Sequence, residues 1–141
     1  MSNISIFCDG SCQMSTRDGG WAYVVVDNDT LLEEKWGSDK ATTNNKMELT
    51  ALLHALKFAI SIDKESTIFT DSQYGCNGYM SWCKSWEKKN WKTSTNKKVE
   101  NLELWQEIHK LRSPKVVVKW IKGHSTNVWN NYCDSLTRNY E

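Results

Sequence analysis

Proline is nearly missing from this 141-residue chain, Pro114 being its one example, so no proline-rich linker divides it. Internal repeats and low-complexity tracts are also absent. No apolar run approaches the ~18 residues that a membrane-crossing helix needs. The start, Met-Ser-Asn-Ile-Ser-Ile-Phe-Cys, lacks the basic residues and long apolar stretch of a secretion signal. Cytoplasmic folding without membrane attachment is the expectation. The cysteines (Cys8, Cys12, Cys76, Cys83 and Cys133) are odd in number and have no C-x-x-C pair. That pattern argues against a zinc site or a disulfide framework and for reduced thiols acting as small hydrophobes.

What is present suits one globular domain spanning 1–141, with 39% hydrophobic and 25% charged residues. The net charge of +1 hides an asymmetry. Residues 1–48 carry four basic and eight acidic side chains, whereas residues 84–122 carry eleven basic and four acidic. One part should attract cations and another polyanions.

Residues 3–8 alternate around Ile4, Ile6 and Cys8 and read as a strand; Ala22–Val26 and Leu31–Trp36 follow it through turn-forming segments, as in an antiparallel meander. The period then changes. Met47, Leu52, Leu56 and Ala59, with Leu49, Leu53 and Ile60, have the spacing of an amphipathic helix over 46–61. A strand over Ser66–Thr70, helices over Ser72–Trp86 and Asn101–Leu111, a strand over Val116–Ile121 and a helix over Val128–Tyr140 complete the order β-β-β-α-β-α-α-β-α. This predicts an α/β fold with a mixed sheet and helices packed on it.

Four carboxylates stand out within this order. Asp9, near the end of the first strand, precedes Gly10, where backbone can approach a ligand; it also fits a strand-end aspartate satisfying a turn. Asp71 ends a strand and fits a helix N-cap equally well. Glu48 completes Asn45-x-x-Glu48, a capping box, and that segment alone favours capping over catalysis. Asp134 lies in the closing helix four residues after Asn130, on one helical face, where aspartate is a mediocre helix former. Gathered in one cleft, the four would form an anionic, oxygen-only site for divalent cations. His124, in the polar loop Lys122-Gly123-His124-Ser125-Thr126-Asn127, suits proton transfer near neutral pH, or is a solvated loop histidine.

A second constellation is basic and aromatic. Lys84, Lys88, Lys89, Lys92, Lys97 and Lys98 fall within fifteen residues, interleaved with Trp86 and Trp91 and preceded by Trp82. Lysines neutralise phosphates and exposed indoles stack on sugars or bases. Trp82 or Trp86 taken alone reads better as core, while the segment as a whole points to nucleic acid.

Asp9-Gly10-Ser11, Thr43-Asn44-Asn45-Lys46-Met47-Glu48-Leu49, Thr70-Asp71-Ser72-Gln73-Tyr74, Lys122-Gly123-His124 and Asp134 resemble, in linear order, the signature of type 1 ribonuclease H. Trp86–Lys98, including Asn90-Trp91-Lys92-Thr93, is similar to that family's basic protrusion. The resemblance implies a five-stranded mixed sheet, three strands antiparallel and the others parallel, flanked by helices. It implies an endonuclease that cuts the RNA strand of RNA–DNA hybrids, leaving 5′-phosphate and 3′-hydroxyl ends. Asp9, Glu48, Asp71 and Asp134 would hold two Mg²⁺ ions, with Mn²⁺ as a substitute, one activating water and the other stabilising the departing oxygen. His124 would assist proton transfer or product release. Cys12, Asn44 and Gln73 resemble contacts to RNA across the minor groove. Thr43, Asn45, Trp82 and Trp86 resemble contacts to DNA. Lys88, Lys89, Trp91, Lys97, Lys98 and Asn130 complete the expected nucleic-acid surface.

The chain departs from the family pattern at Ser15-Thr16-Arg17-Asp18-Gly19-Gly20, where many relatives have Asn-Pro-Gly-Pro-Gly-Gly, so Ser15 replaces an asparagine contact. The loop Ser125–Trp129 lacks the usual proline and glycine. Two other functions remain open on the sequence: a catalytically silent hybrid-binding module, and a DNA-cleaving nuclease of the same architecture. A monomer is the default expectation.

Overall fold

The computed structural model describes residues 4–92, 98–122 and 127–138; Lys97 and His124 lie outside them. Five strands form one sheet in the order β3-β2-β1-β4-β5, where β1 is Ile4–Cys12, β2 Gly19–Asp27, β3 Thr30–Asp39, β4 Ser66–Thr70 and β5 Val116–Trp120. β1, β2 and β3 pair antiparallel, whereas β1–β4 and β4–β5 are parallel. Each parallel step needs a crossover. The helix α1 (Asn44–Ile62) lies in the first. The second contains α2 (Gln73–Asn77), a π-helical turn (Gly78–Trp82), α3 (Cys83–Lys88) and α4 (Leu102–Lys110); α5 (Val128–Leu136) closes the fold.

Alternation along β1 divides the core in two. Ile4, Ile6 and Cys8 pack with Leu49, Leu52 and Leu56 of α1 and with Trp105 and Ile108 of α4. On the opposite face Phe7 joins Ala22, Val24, Val26 and Cys133 of α5. The apolar spacing that predicts α1 is buried as expected at Met47, Leu49, Leu52, Leu53, Leu56 and Ala59, while Ile60 is partly exposed near the helix end. Gly78 lets the π-helical turn approach α4, for a Cβ there would fall 1.9 Å from the Trp105 ring. All five thiols are free, three of them buried, in agreement with the reduced reading.

The first three strands are longer than their sequence signals, whereas β4 matches its own and β5 ends one residue short. β1 runs to Cys12 because its partner β2 continues to Gly19, pairing Cys12 with Gly19. Asp9 is therefore inside a strand on the β2 side. On the β4 side the ladder ends at Cys8–Thr70, and that asymmetry opens the site.

Candidate active site

Because Cys8–Thr70 is the last parallel pair, the next residues, Asp9 and Asp71, emerge side by side at the carboxyl ends of adjacent strands. Such strand ends are where open α/β sheets bind ligands. Asp9 is buried, and its Oδ1 accepts a hydrogen bond from the Gly10 N–H at 2.9 Å. The Trp120 indole N–H donates to the Asp71 carbonyl at 3.1 Å, tying that corner to β5.

Glu48 reaches the same place because α1 starts directly against β1. A Cβ on Gly10 would lie 2.3 Å from the Met47 carbonyl carbon and 2.4 Å from the Glu48 nitrogen, so this approach requires glycine. The capping box is not formed. Thr43 is the N-cap, its hydroxyl accepting from the Lys46 N–H at 3.1 Å, and Asn45 lies within the helix. Nor does Asp71 cap α2: the Ser72 hydroxyl does so, accepting from the Gly75 N–H at 2.9 Å. Hydroxyl residues thus take both capping roles that the sequence offered to carboxylates.

Asp9, Glu48 and Asp71 each place an oxygen within 4.8 Å of the other two. Asp134 approaches from α5, close enough to Asp9 to raise its pKa, and pairs with Arg138 at 3.6 Å. The Cys133 thiol donates to the Phe7 and Ala22 carbonyls, both at 3.4 Å, holding α5 on the sheet beside Asp134. The Thr137 hydroxyl donates to the Asp134 carbonyl at 2.6 Å.

This crowding changes ionisation. Burial first, and then the charges of Asp71 and Asp134, hold Asp9 well above the ordinary carboxylate range. Burial likewise raises Glu48, opposed by a hydrogen bond from Ser72. Beneath the acids, burial pushes the Cys8 and Cys133 thiols up, so the floor stays neutral. Close carboxylates that resist joint ionisation, with oxygen as the only donor, form a set that fits a hard divalent cation. They line an open cleft of about 480 Å³ together with Cys12, Asn44 and Arg138.

A ribonuclease H family model matches residues 1–141. This chain belongs to the ribonuclease H family. The ribonuclease H of Treponema denticola is 41% identical over 150 residues, covering 95% of this chain and 94% of that protein. The Campylobacter curvus ribonuclease H is 42% identical, covering 98% and 92%. Among solved structures, LC9-RNase H1, a type 1 RNase H, superposes with a TM-score of 0.83 at 27% identity, covering 99% of this chain and 72% of that one. The prototype foamy virus (PFV) RNase H domain shares the fold, with a TM-score of 0.86 at 18% identity and coverage of 99% and 94%.

The substrate contacts that the ribonuclease H resemblance implies fall into three groups. Cys12 and Asn44 line the carboxylate cleft and also a neighbouring one of about 480 Å³ that includes Thr43 and Asn45; Gln73 is exposed at the start of α2. Trp82 is 38% exposed, whereas Trp86 and Trp91 are half-buried, Trp86 packing on Trp82, Trp91 and Trp105. Lys88, Lys89 and Lys98 are exposed. Asn130 departs from expectation: it is 1% exposed, facing inward on α5, and has no surface to offer nucleic acid. Its backbone N–H bonds the Asn127 side chain, which caps the helix. Arg138 went unnoticed in the sequence, although its i,i+4 spacing from Asp134 signals the pair.

Proposed function

We propose that this protein hydrolyses the RNA strand of RNA–DNA hybrids in a divalent-cation-dependent reaction, leaving 5′-phosphate and 3′-hydroxyl ends. The observation that carries this reading is the set of three carboxylate oxygens, from Asp9, Glu48 and Asp71, within 4.8 Å of one another at the strand ends. With Asp134 they would hold two ions, Mg²⁺ or in its place Mn²⁺. Such ions lower the pKa of bound water and offset charge on transferring phosphoryl oxygens.

The chain's own residues do the rest. Asp9 fixes the deep end of the site, its orientation set by the Gly10 N–H. Glu48 and Asp71 complete the anionic rim, and Asp134 closes it from α5. His124 assists proton transfer or product release. Cys12, Asn44 and Gln73 lie against the RNA strand, where 2′-hydroxyls mark RNA. Thr43, Asn45, Trp82 and Trp86 meet the DNA strand, and Trp91 with Lys88, Lys89, Lys97 and Lys98 extends the interface along its phosphates. The protein acts as a single-domain monomer in the cytoplasm; among the described residues no helix is long and apolar enough to cross a membrane.

Purified protein with Mg²⁺ and a labelled hybrid, beside single-stranded RNA and duplex DNA, tests this directly. RNA cleavage confined to the hybrid is expected. Equal cutting of duplex DNA would make it a DNA nuclease, and binding without cutting a silent module. Asp9→Asn and Asp71→Asn should each nearly abolish turnover while leaving hybrid binding largely intact.

A further inference from the structure

Beside the carboxylate cleft lies a second hollow of about 480 Å³, and the loop between β1 and β2 supplies part of its wall. Cys12 and Asn44 line both spaces, whereas Arg17, Thr43 and Asn45 line the hollow and not the cleft. Arg17 is the one cation among the residues that line it, and Glu100 the one acid. Arg17 is exposed, and among the described residues no ion pair within 4.0 Å involves it.

Backbone contacts fix Arg17 against the start of α1. Its N–H donates to the Gln13 carbonyl at 2.7 Å, and its carbonyl accepts from the Thr42 N–H at 3.0 Å. The Gln13 N–H in turn donates to the Asp18 carbonyl at 2.8 Å, closing the loop on itself. A Cβ on Gly19 would fall 2.5 Å from Thr42 Cγ2, so the base of the loop lies directly on the segment that leads into Thr43. The Arg17 backbone is left-handed, φ 63°, a conformation that strains an arginine and suits a glycine. The family pattern has glycine at this position. The turn itself would be better served by that residue, so the arginine side chain needs a reason outside the loop.

A guanidinium is charged at every working pH and presents a fork of donors that matches two oxygens of a phosphate. The Thr43 hydroxyl accepts from the Lys46 N–H and keeps its own proton to donate, and the Asn45 side chain carries two further donors. Thr43 and Asn45, which line the hollow and not the cleft, are the residues assigned above to the DNA strand. Cys12 and Asn44, which the hollow shares with the cleft, are assigned to RNA. That division sets the far part of the hollow on the side of the uncut strand. We propose that Arg17 is a further substrate-binding residue of this chain, holding one phosphate of the DNA strand in this hollow, an inference that rests on the hybrid-cleavage reading. Glu100 repels an anion at the same place, so the guanidinium is what makes the hollow attractive to phosphate.

The experiment compares hybrid binding by the wild-type sequence, Arg17→Gly and Arg17→Lys, each in an Asp9→Asn background so that no substrate is consumed. Glycine suits the left-handed backbone, so Arg17→Gly should keep the Tm of its parent. Its affinity should fall roughly five- to tenfold, between an open-surface ion pair and a charge-assisted hydrogen bond. The slope of log affinity against log salt should fall by up to ~0.9, the share of one phosphate. Arg17→Lys keeps the charge without the fork, and should restore most of the slope but not all of the affinity. In the cleaving protein the loss should appear in KM rather than kcat, as for a contact made equally before and during reaction. Neutral methylphosphonates, placed one at a time along each strand, then locate the contact. One DNA-strand position should weaken binding by the arginine protein and cost Arg17→Gly markedly less. Unchanged affinity and slope in Arg17→Gly, or no DNA-strand position that couples to residue 17, overturns the proposal. Coupling confined to the RNA strand overturns it in favour of the cut strand. A protein with Arg17 in place that binds no hybrid at all would instead sink the underlying function.

Discussion

Replacing Gly10 by alanine adds one methyl group at the point where β1 and α1 touch. Its Cβ would stand 2.3 Å from the Met47 carbonyl carbon and 2.4 Å from the Glu48 nitrogen, about 1 Å inside the ordinary contact limit of 3.4 Å. Both atoms are backbone, so no side chain can swing away, and α1 must retreat by about that distance. Glu48 retreats with it, away from Asp9 and Asp71. Overpacking of this kind costs about 1–3 kcal/mol, a fall in Tm of roughly 4 °C per kcal/mol at this chain length. A 1 Å misplacement of a reacting group costs on the order of 10²-fold in rate. Gly10→Ala should therefore remain folded but lose about two orders of magnitude in kcat on a labelled hybrid, with a weaker apparent Mg²⁺ affinity. Gly75→Ala is the control: its Cβ would meet Ser72 Oγ at 3.4 Å, Ser72 Cβ at 3.6 Å and Leu52 Cδ2 at 3.7 Å, all ordinary contacts, and alanine in α2 should be neutral or stabilising by up to ~1 kcal/mol. Near-normal turnover and metal affinity in a stable Gly10→Ala protein would refute the claim that this close approach places Glu48.

Thr43→Ala should lower stability by about 1 kcal/mol through loss of the N-cap, and Asn45→Ala should leave thermal or urea unfolding within ~0.5 kcal/mol of wild type; the opposite order would restore the capping box. In the absence of divalent cations Asp9→Asn should melt higher than wild type at neutral pH. The folded protein holds the Asp9 proton above the pH at which the unfolded chain releases it, so wild type loses stability as pH rises above ~4. The difference should vanish below that pH, and a Tm difference independent of pH would contradict the assigned cause. Replacing Lys88, Lys89, Lys97 and Lys98 by alanine should lower the slope of log affinity against log salt, measured by hybrid binding. The fall should be at most ~0.9 for each phosphate that a lysine no longer neutralises. An unchanged slope would make these lysines solvated surface alone.

The element order was legible because periodicity changes where the chain changes from strand to helix: alternation through Ile4, Ile6 and Cys8, then helical spacing from Met47 to Ala59. Lengths were less so. β1 continues through Asp9-Gly10-Ser11 because its partner strand extends to Gly19, and nothing in that polar tripeptide itself favours a strand. The four acids were legible as candidates through their neighbours and order, but their proximity depends on the sheet order that puts β1 beside β4. The inward turn of Asn130 was hidden because Asn130 and Asp134 share a helical face, and that spacing says nothing about how deep either residue lies.

Four acids crowded at one sheet end oppose folding, and the fold manages this by assigning their structural duties to neighbours. Thr43 and Ser72 cap the helices, the Gly10 N–H orients Asp9, and Arg138 faces Asp134. Ser72 has a second task, because its hydroxyl also hydrogen-bonds Glu48 and lowers a pKa that burial raises. Ser72→Ala should then do two separable things. It should cost about 1 kcal/mol through loss of the cap, as Thr43→Ala does. It should also leave Glu48 more reluctant to ionise, since the bond favouring the charged form is gone. Protons would compete with cations to a higher pH, moving the acidic limb of the cleavage profile upward in Ser72→Ala while Thr43→Ala leaves it in place. The shift should shrink as Mg²⁺ is raised, because cation and proton contend for the same oxygens. Equal profiles for the two variants would mean that Ser72 acts as a cap alone, and that Glu48 ionises without its help.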